Sequence, residues 1–151
     1  MSARSIPTAQ REDADVSSGC GAEPLSSPYF YAILRVVPQV ERGECINAGV
    51  VLFSRPQRFL GVRVFLDDTK LHALAPACDA GIVREYLNAI VAVASGKADA
   101  GPIAKLELSE RFHWIAATSN TIIQPSPVHT GLTNDPAATL DHLFQQLVRE
   151  G

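Results

Sequence analysis

The chain has 151 residues, of which 46% are hydrophobic and 19% are charged, and its formal net charge is −3. These values exclude a mainly disordered chain and fit one domain that buries about 68–70% of its unfolded surface. They also argue against a general nucleic-acid binder, because such proteins carry an excess of Lys and Arg that neutralises phosphates.

The cysteines and the hydropathy pattern bear on where the protein is found. Cys20, Cys45 and Cys78 are too far apart for a Cys-x-x-Cys metal or redox motif, and separated thiols are typical of a reducing compartment. No run reaches the roughly 18 apolar residues of a membrane span, and no signal-peptide pattern is visible. We therefore expect a cytoplasmic protein that does not associate with membranes.

The first 28 residues differ in composition from the rest of the chain. They are rich in Ser, Ala, Gly, Pro and acidic residues, and no apolar pattern repeats among them. This composition predicts a disordered tail. A single ordered domain is then expected over residues 29–151.

Three β-rich runs open that domain, at residues 29–37, 46–53 and 59–66. Their short connections favour antiparallel pairing, which predicts a three-stranded meander. The first run is almost continuously apolar, as in a central strand that is buried on both faces. Its single charge, Arg35, needs a partner when buried, and we expect Glu41 or Glu44 to supply it.

Capping residues and apolar spacing predict two main helices. One begins at the cap Asp79 and ends at Gly96, and the other begins at Asp135 followed by Pro136. A brief helix is expected after Asp67 or Asp68. The apolar residues recur at helical spacing, and they are Leu71 and Leu74 in the brief helix, Ile82, Val83, Tyr86, Leu87, Ile90 and Val91 in the second, and Leu140, Leu143, Phe144, Leu147 and Val148 in the last.

The remaining segments are shorter. Residues 103–108 are predicted to be extended, residues 111–115 fit either a strand or a helical turn, and residues 121–124 fit a strand. Pro125 and Pro127 hold the following residues extended and would present His129 at a defined place. The predicted fold class is therefore α+β, with a small antiparallel sheet, the meander plus one later strand, covered by two main helices.

Polar side chains concentrate in two stretches, which we expect to meet. The first contains Arg35, Glu41, Arg42, Glu44 and Asn47. Such a set can bind an anion through arginine or position a carboxylate as general base. The same residues are also typical of a salt-bridged hairpin turn.

The second stretch is the richest in chemistry. It contains Arg111, His113, Gln124, Ser126, His129 and Thr130. These residues offer an anion clamp, hydroxyl groups and two imidazoles that titrate near neutral pH. Alternatively, His113 is a partly buried residue beside Trp114, and His129 supports its own loop.

Several sharper functions fail on spacing. The chain has no phosphate-binding loop, no dinucleotide fingerprint, no His-Glu-x-x-His motif and no Gly-x-Ser-x-Gly motif. His72 and His142 fall on separate predicted helices, so no zinc site is expected. We predict neither a metal nor a cofactor.

Three stretches together resemble a known family. They are residues 31–44 continuing through Asn47-Ala48-Gly49-Val50, then Glu110-Arg111-Phe112-His113-Trp114, then residues 124–131. Over residues 29–148 the chain resembles an uncharacterised bacterial family, the domain of unknown function numbered 3037. The family has no assigned activity. Its members are often encoded beside a HipA-like kinase gene, so the resemblance implies a partner or regulator of such a kinase.

Two functional hypotheses follow. The leading one is a noncatalytic accessory or regulatory module that binds a protein partner, such as a HipA-like kinase, or a phosphorylated ligand. Its predicted ligand-binding residues are Arg35, Arg42, Glu44, Asn47, Arg111, Gln124, Ser126 and Thr130, with Arg42 and Arg111 holding the anion and His129 donating to it.

The alternative hypothesis is a small enzyme acting on a phosphoester or a nucleotide. In that case His113 and His129 would share the acid and base roles, and the arginines would stabilise developing charge. This requires both imidazoles to reach one reacting atom across a common pocket.

Overall fold

A computed structural model describes residues 26–117 and 122–150. In this part of the chain, helices pack on both faces of a five-stranded antiparallel sheet, which confirms the predicted α+β class. The strands are β1 (Ser27–Val36), β2 (Ile46–Ser54), β3 (Phe59–Val64), β4 (Ile123–Pro125) and β5 (His129–Thr133). The helices are α1 (Asp68–Leu74), α2 (Ala80–Ser95), α3 (Leu108–Ala117) and α4 (Pro136–Phe144).

The strands lie in the order β3, β2, β1, followed by an edge that β4 and β5 share. The predicted meander is confirmed, because β2 pairs antiparallel with both β1 and β3. The predicted later strand is confirmed as β4, which pairs with the C-terminal half of β1. Thr121, the first residue of that prediction, lies outside the described residues.

Strand β5 was not predicted. It pairs with the N-terminal half of β1, where Tyr31 lies opposite His129 and Tyr29 lies opposite Gly131. The segment has one apolar side chain, Leu132, and therefore no alternating apolar pattern. Its pairing depends instead on a close approach at Gly131, where a Cβ atom would lie 2.6 Å from the Tyr29 hydroxyl oxygen.

Strand β1 divides its side chains between two cores. Ala32, Leu34 and Val36 are buried under α2 and α3, whereas Tyr29 and Tyr31 pack on the opposite face beside α4. Burial on both faces was predicted for the whole strand, and this is wrong for its first half. Phe30 is 38% exposed, because it lies outside the set of side chains that α2 and α3 cover.

The predicted helix ends are confirmed. The Asp79 carboxylate accepts from the Gly81 N–H at 2.9 Å, and Gly96 ends α2 with a left-handed φ of 72°. The Asp135 carboxylate accepts from the Ala138 N–H at 3.2 Å at the start of α4. After Phe144, the chain continues as one π-helical turn, Gln145–Arg149.

The apolar stripe of α2 is narrower than the sequence indicates. Val83, Leu87 and Ile90 are buried, but Ile82 and Tyr86 are exposed. The prediction of an extended segment at residues 103–108 is also wrong, since Pro102–Lys105 forms a 3₁₀ turn and the chain then enters α3. Proline favours the first position of such a turn.

Two further predictions concern residues 111–115 and the N-terminal tail. Residues 111–115, which the sequence left open between strand and helix, lie within α3. The predicted tail falls largely on residues 1–25, outside the described residues. Ser27 and Pro28, which were assigned to that tail, belong to β1, and the Pro28 carbonyl accepts from the Ser54 hydroxyl at 3.0 Å.

The packing of α3 can be tested by two alanine substitutions. Ile115→Ala should lower the free energy of unfolding by about 2–5 kcal/mol, because Ile115 is fully buried against the sheet. Glu110→Ala, on the exposed side of the same helix, should change it by less than about 0.5 kcal/mol. Urea unfolding of both variants measures the difference, and equal losses would contradict the placement of α3.

Candidate functional site

The Arg35 side chain bonds to the backbone of the edge strand β4. Its guanidinium donates to the Gln124 carbonyl at 3.1 Å and to the Pro125 carbonyl at 3.0 Å. The predicted pairing with Glu41 or Glu44 is therefore wrong. Carbonyl oxygens of β4 satisfy the charged group where it lies, so no carboxylate is needed. Arg35 and Gln124, one from each polar stretch, meet through a contact that fastens β4 to β1.

Asn47 is placed by a β-bulge. Leu34 pairs with Gly49 and Arg35 pairs with Asn47, so Ala48 is the extra residue of β2. A bulge turns the side chains beyond it to the other face of the sheet. The Asn47 amide consequently reaches the C-terminal helical turn and donates to the Leu147 carbonyl at 3.1 Å.

A cleft of about 330 Å³ lies beside Asn47. Its lining residues are Cys45, Ile46, Asn47, Lys70, Leu147 and Val148. The predicted arginines and histidines are not among them. The cleft therefore does not gather the two polar stretches into one site.

Arg42 and Glu44 form an ion pair at the β1–β2 turn. The guanidinium Nε lies 2.7 Å from the carboxylate Oε1, and both side chains are exposed. The hydrogen bond from Arg42 lowers the pKa of Glu44, and the same bond raises the pKa of Arg42. An exposed ion pair of this kind adds little to the stability of the fold. Of the two interpretations of this stretch, Arg42 and Glu44 fit the salt-bridged turn.

Arg111 closes the C-terminal end of α2. Its guanidinium donates to the Ala94 carbonyl at 2.8 Å, to the Leu106 carbonyl at 3.0 Å and to the Val93 carbonyl at 3.4 Å. Carbonyls at a helix C-terminus lack partners within the helix, and a cation there is favourable. Arg111 is thus a structural cap for α2.

The two arginines proposed as an anion clamp have different contacts. Glu44, the partner of Arg42, borders Leu74 and Ala75, which precede the start of α2. Arg111 lies at the other end of this helix, whose 16 residues span about 24 Å. No contact described above brings these two guanidinium groups together.

The histidines lie on opposite faces of the sheet. His113 is on α3, where the neighbouring Phe112 stacks on Phe53 at 5.4 Å between ring centroids. His129 stacks on Tyr31 at 5.1 Å, and Tyr31 packs in the core beside α4. The sheet separates the two imidazoles. They do not share the common pocket that joint acid–base catalysis requires.

The Ser126 and Thr130 hydroxyls both bond to backbone groups of β1. The buried Ser126 hydroxyl accepts from the Ile33 N–H at 2.8 Å and donates to the Pro127 carbonyl at 2.9 Å. The Thr130 hydroxyl donates to the Tyr29 carbonyl at 3.0 Å. These hydroxyls hold the joint at which β4 passes into β5.

The structure also reveals a surface that the sequence analysis missed. We define the edge strip as Pro28 and Phe30 of β1 with Thr130 and Leu132 of β5, which lie opposite one another in register and share one face of the sheet. All four are exposed, and Leu132 is 71% exposed. The strip was missed because β5 was not predicted. The isolated leucine between Gly131 and Thr133 was the available signal.

Residues 26–117 and 122–150 offer neither a metal site nor a membrane-spanning helix. No group of three His, Cys, Asp or Glu side chains is placed to hold a metal ion within these ranges. None of the helices described there has the length and apolar character that crossing a bilayer requires.

A family model described as "Protein of unknown function (DUF3037)" matches residues 31–148. The chain belongs to this family. The match confirms the resemblance and runs from β1 to the C-terminal helical turn of this DUF3037 chain. It contains no statement about a kinase, so that partner stays a prediction. No curated protein and no solved structure matches the chain.

The structural role of Arg111 can be tested against Arg42. Arg111→Leu should lower the free energy of unfolding by about 1–3 kcal/mol, because three carbonyl groups would lose their donor. Arg42→Ala should leave the urea midpoint unchanged, since its ion pair is exposed. A stable Arg111→Leu variant would contradict the capping role.

Proposed function

We propose that this DUF3037 chain is a noncatalytic accessory module that binds a protein partner through the edge strip. The observation that carries the proposal is the exposure of Phe30 on β1 and Leu132 on the edge strand β5, which lie diagonally across from each other on one face of the sheet. Exposed apolar groups that are contiguous mark interaction surfaces more often than single exposed residues do.

The opposite edge of the sheet supports this choice by contrast. Strand β3 carries Arg63, whose guanidinium lies 2.8 Å from the Asp141 carboxylate and 4.7 Å from the centre of the Phe144 ring. Both partners are on α4, which covers that side. A charged residue and a covering helix are protections that natural edge strands use. The edge at β5 has neither in the described part of the chain.

The placement of the polar side chains supports binding over catalysis. Arg35, Asn47, Arg111, Ser126 and Thr130 each bond to backbone groups of the same chain. Their hydrogen-bonding capacity is used in the fold. The proposal therefore concerns a protein partner in preference to a phosphorylated ligand, which would need the arginines to be available.

The first partner to test is a HipA-like kinase, which the family resemblance implies. A partner that covers the edge strip would bury Leu132, and burial of a leucine side chain is worth about 1.5–3 kcal/mol. Replacing it with a charged residue removes this contribution and adds a desolvation cost.

The test is co-purification of the full chain with a HipA-like kinase from the same genome. The wild-type chain should form a complex, and Leu132→Arg should weaken it at least about tenfold in a titration by calorimetry. Val40→Arg is the matched control, because Val40 is an exposed apolar residue at the other end of β1, and it should bind like wild type.

Two results would count against the proposal. A complex of undiminished affinity with Leu132→Arg would show that the edge strip is not the binding surface. Absence of a complex with the wild-type chain would overturn the assignment to this kinase.

A further inference from the structure

Resting on the proposed function, we infer that the partner binds by strand addition: an extended, uncharged segment with alternating apolar residues pairs with the outer edge of β5. This names the binding mode and the chemistry of the segment, which the edge strip alone does not. The inference follows from the direction of the backbone groups.

Hydrogen bonds along β1 establish which neighbouring strand the backbone N–H and C=O groups of each residue face. In an antiparallel sheet, the N–H and C=O of one residue point to the same side, and successive residues alternate. The Pro28 carbonyl accepts from Ser54 on β2, whereas the Ile33 carbonyl accepts from the Ser126 N–H at 2.8 Å on the other side. The backbone N–H and C=O groups of the even-numbered residues of β1 thus point to β2. Those of the odd-numbered residues point to β4 and β5.

The same alternation applies to β5. The backbone N–H and C=O groups of Tyr29 and Tyr31 point towards β5. Tyr29 lies opposite Gly131 and Tyr31 lies opposite His129, so these are the two hydrogen-bonded pairs. Thr130 lies between His129 and Gly131, and Leu132 follows Gly131. Because the directions alternate, the N–H and C=O groups of Thr130 and Leu132 point away from β1. In the described ranges β5 pairs with β1 alone.

Strand β5 therefore presents two donors and two acceptors at the edge of the sheet, in the spacing that an added strand uses. Leu132 stands beside them with 71% of its surface exposed. Main-chain hydrogen bonds would supply the affinity, and the side chains that fall beside Leu132 would supply the specificity.

Charge determines the chemistry of the added segment. Neither His129–Thr133 nor the opposite part of β1, residues 27–34, contains Asp, Glu, Lys or Arg. A charged residue brought against this surface would lose hydration without gaining an ion pair. Every second residue of the segment lies on the Leu132 side, so these residues should be apolar.

The size of the surface favours a peptide segment over a second copy of the chain. Stable interfaces between folded proteins bury roughly 800 Å² on each partner. The strip contributes two partly exposed apolar side chains and a proline. An added strand depends on backbone hydrogen bonds, so a small surface is sufficient for it.

The test separates the backbone from the side chain at one position. Leu132→Pro removes the outward N–H without removing a hydrogen bond to β1, because proline is tolerated where the N–H of an edge strand faces solvent. Leu132→Ala keeps the N–H and removes the side chain. The probe is a blocked heptapeptide of alternating threonine and valine, and its fully N-methylated form is the control.

Binding to the full chain is followed by amide hydrogen exchange in NMR spectra. The peptide should slow exchange at Thr130 and Leu132 at least about tenfold, and the N-methylated peptide should not. Leu132→Ala should bind more weakly but still show protection at both amides. Leu132→Pro should bind the probe about tenfold more weakly than wild type, with an unchanged circular dichroism spectrum.

Several outcomes would overturn strand addition. These are no protection at millimolar peptide, equal protection by the N-methylated peptide, and equal binding of the probe by Leu132→Pro and wild type. If Leu132→Pro does not fold, the comparison of the two peptides decides alone. A wild-type dimer in ultracentrifugation that Leu132→Pro dissociates would assign the edge to a second copy and overturn the partner segment.

The same variants distinguish this inference from the proposed function. Loss of the kinase complex in Leu132→Arg but not in Leu132→Pro would overturn strand addition and leave the partner-binding module standing. Protection by the peptide without any kinase complex would support strand addition and remove the kinase as the partner.

Discussion

The fold depends on how the backbone of β1 is satisfied on both sides. Buried N–H and C=O groups need partners, and β1 pairs with β2 on one side and with β4 and β5 on the other. Strand β2 pairs with β1 from Phe30 to Val36. On the other side two short strands pair with β1, with Pro125 at the end of β4 and Pro127 in the joint between the two strands. The Ser126 hydroxyl accepts from the Ile33 N–H at that joint, and Arg35 binds two carbonyl groups next to it.

Local patterns in the sequence predicted most of the fold. Short connections between the β-rich runs of residues 29–66 indicate a meander, and Asp79, Gly96 and Asp135 carry capping signals that depend only on nearby backbone. Strand β5 and the partner of Arg35 could not be found this way. Arg35 and Gln124 are 89 residues apart, and Ile33 and Ser126 are 93 apart, so nothing local encodes their contacts.

The candidate site illustrates a related limit. The sequence located the polar stretches, but it gave Arg35 a carboxylate partner, and residue type did not reveal the roles of the polar side chains. An arginine that binds a phosphate and an arginine that binds carbonyl groups look the same before the chain folds, and Arg111 is of the second kind. The stretches that carry the family resemblance contain Arg35, Asn47, Arg111 and Ser126. In this structure the side chains of these four residues bond to backbone groups and connect elements of the fold.

The split edge of β1 also affects how the chain folds during synthesis. The first three strands and α2 are complete by residue 95, whereas β4 and β5 end at residues 125 and 133. Domains assemble as the chain emerges, and pairings distant in sequence form late. Until then the whole outer side of β1 is an open edge of apolar residues. The nascent chain is therefore most prone to wrong pairing after α2 has formed and before residue 133 has been made, which is when a chaperone has most to protect.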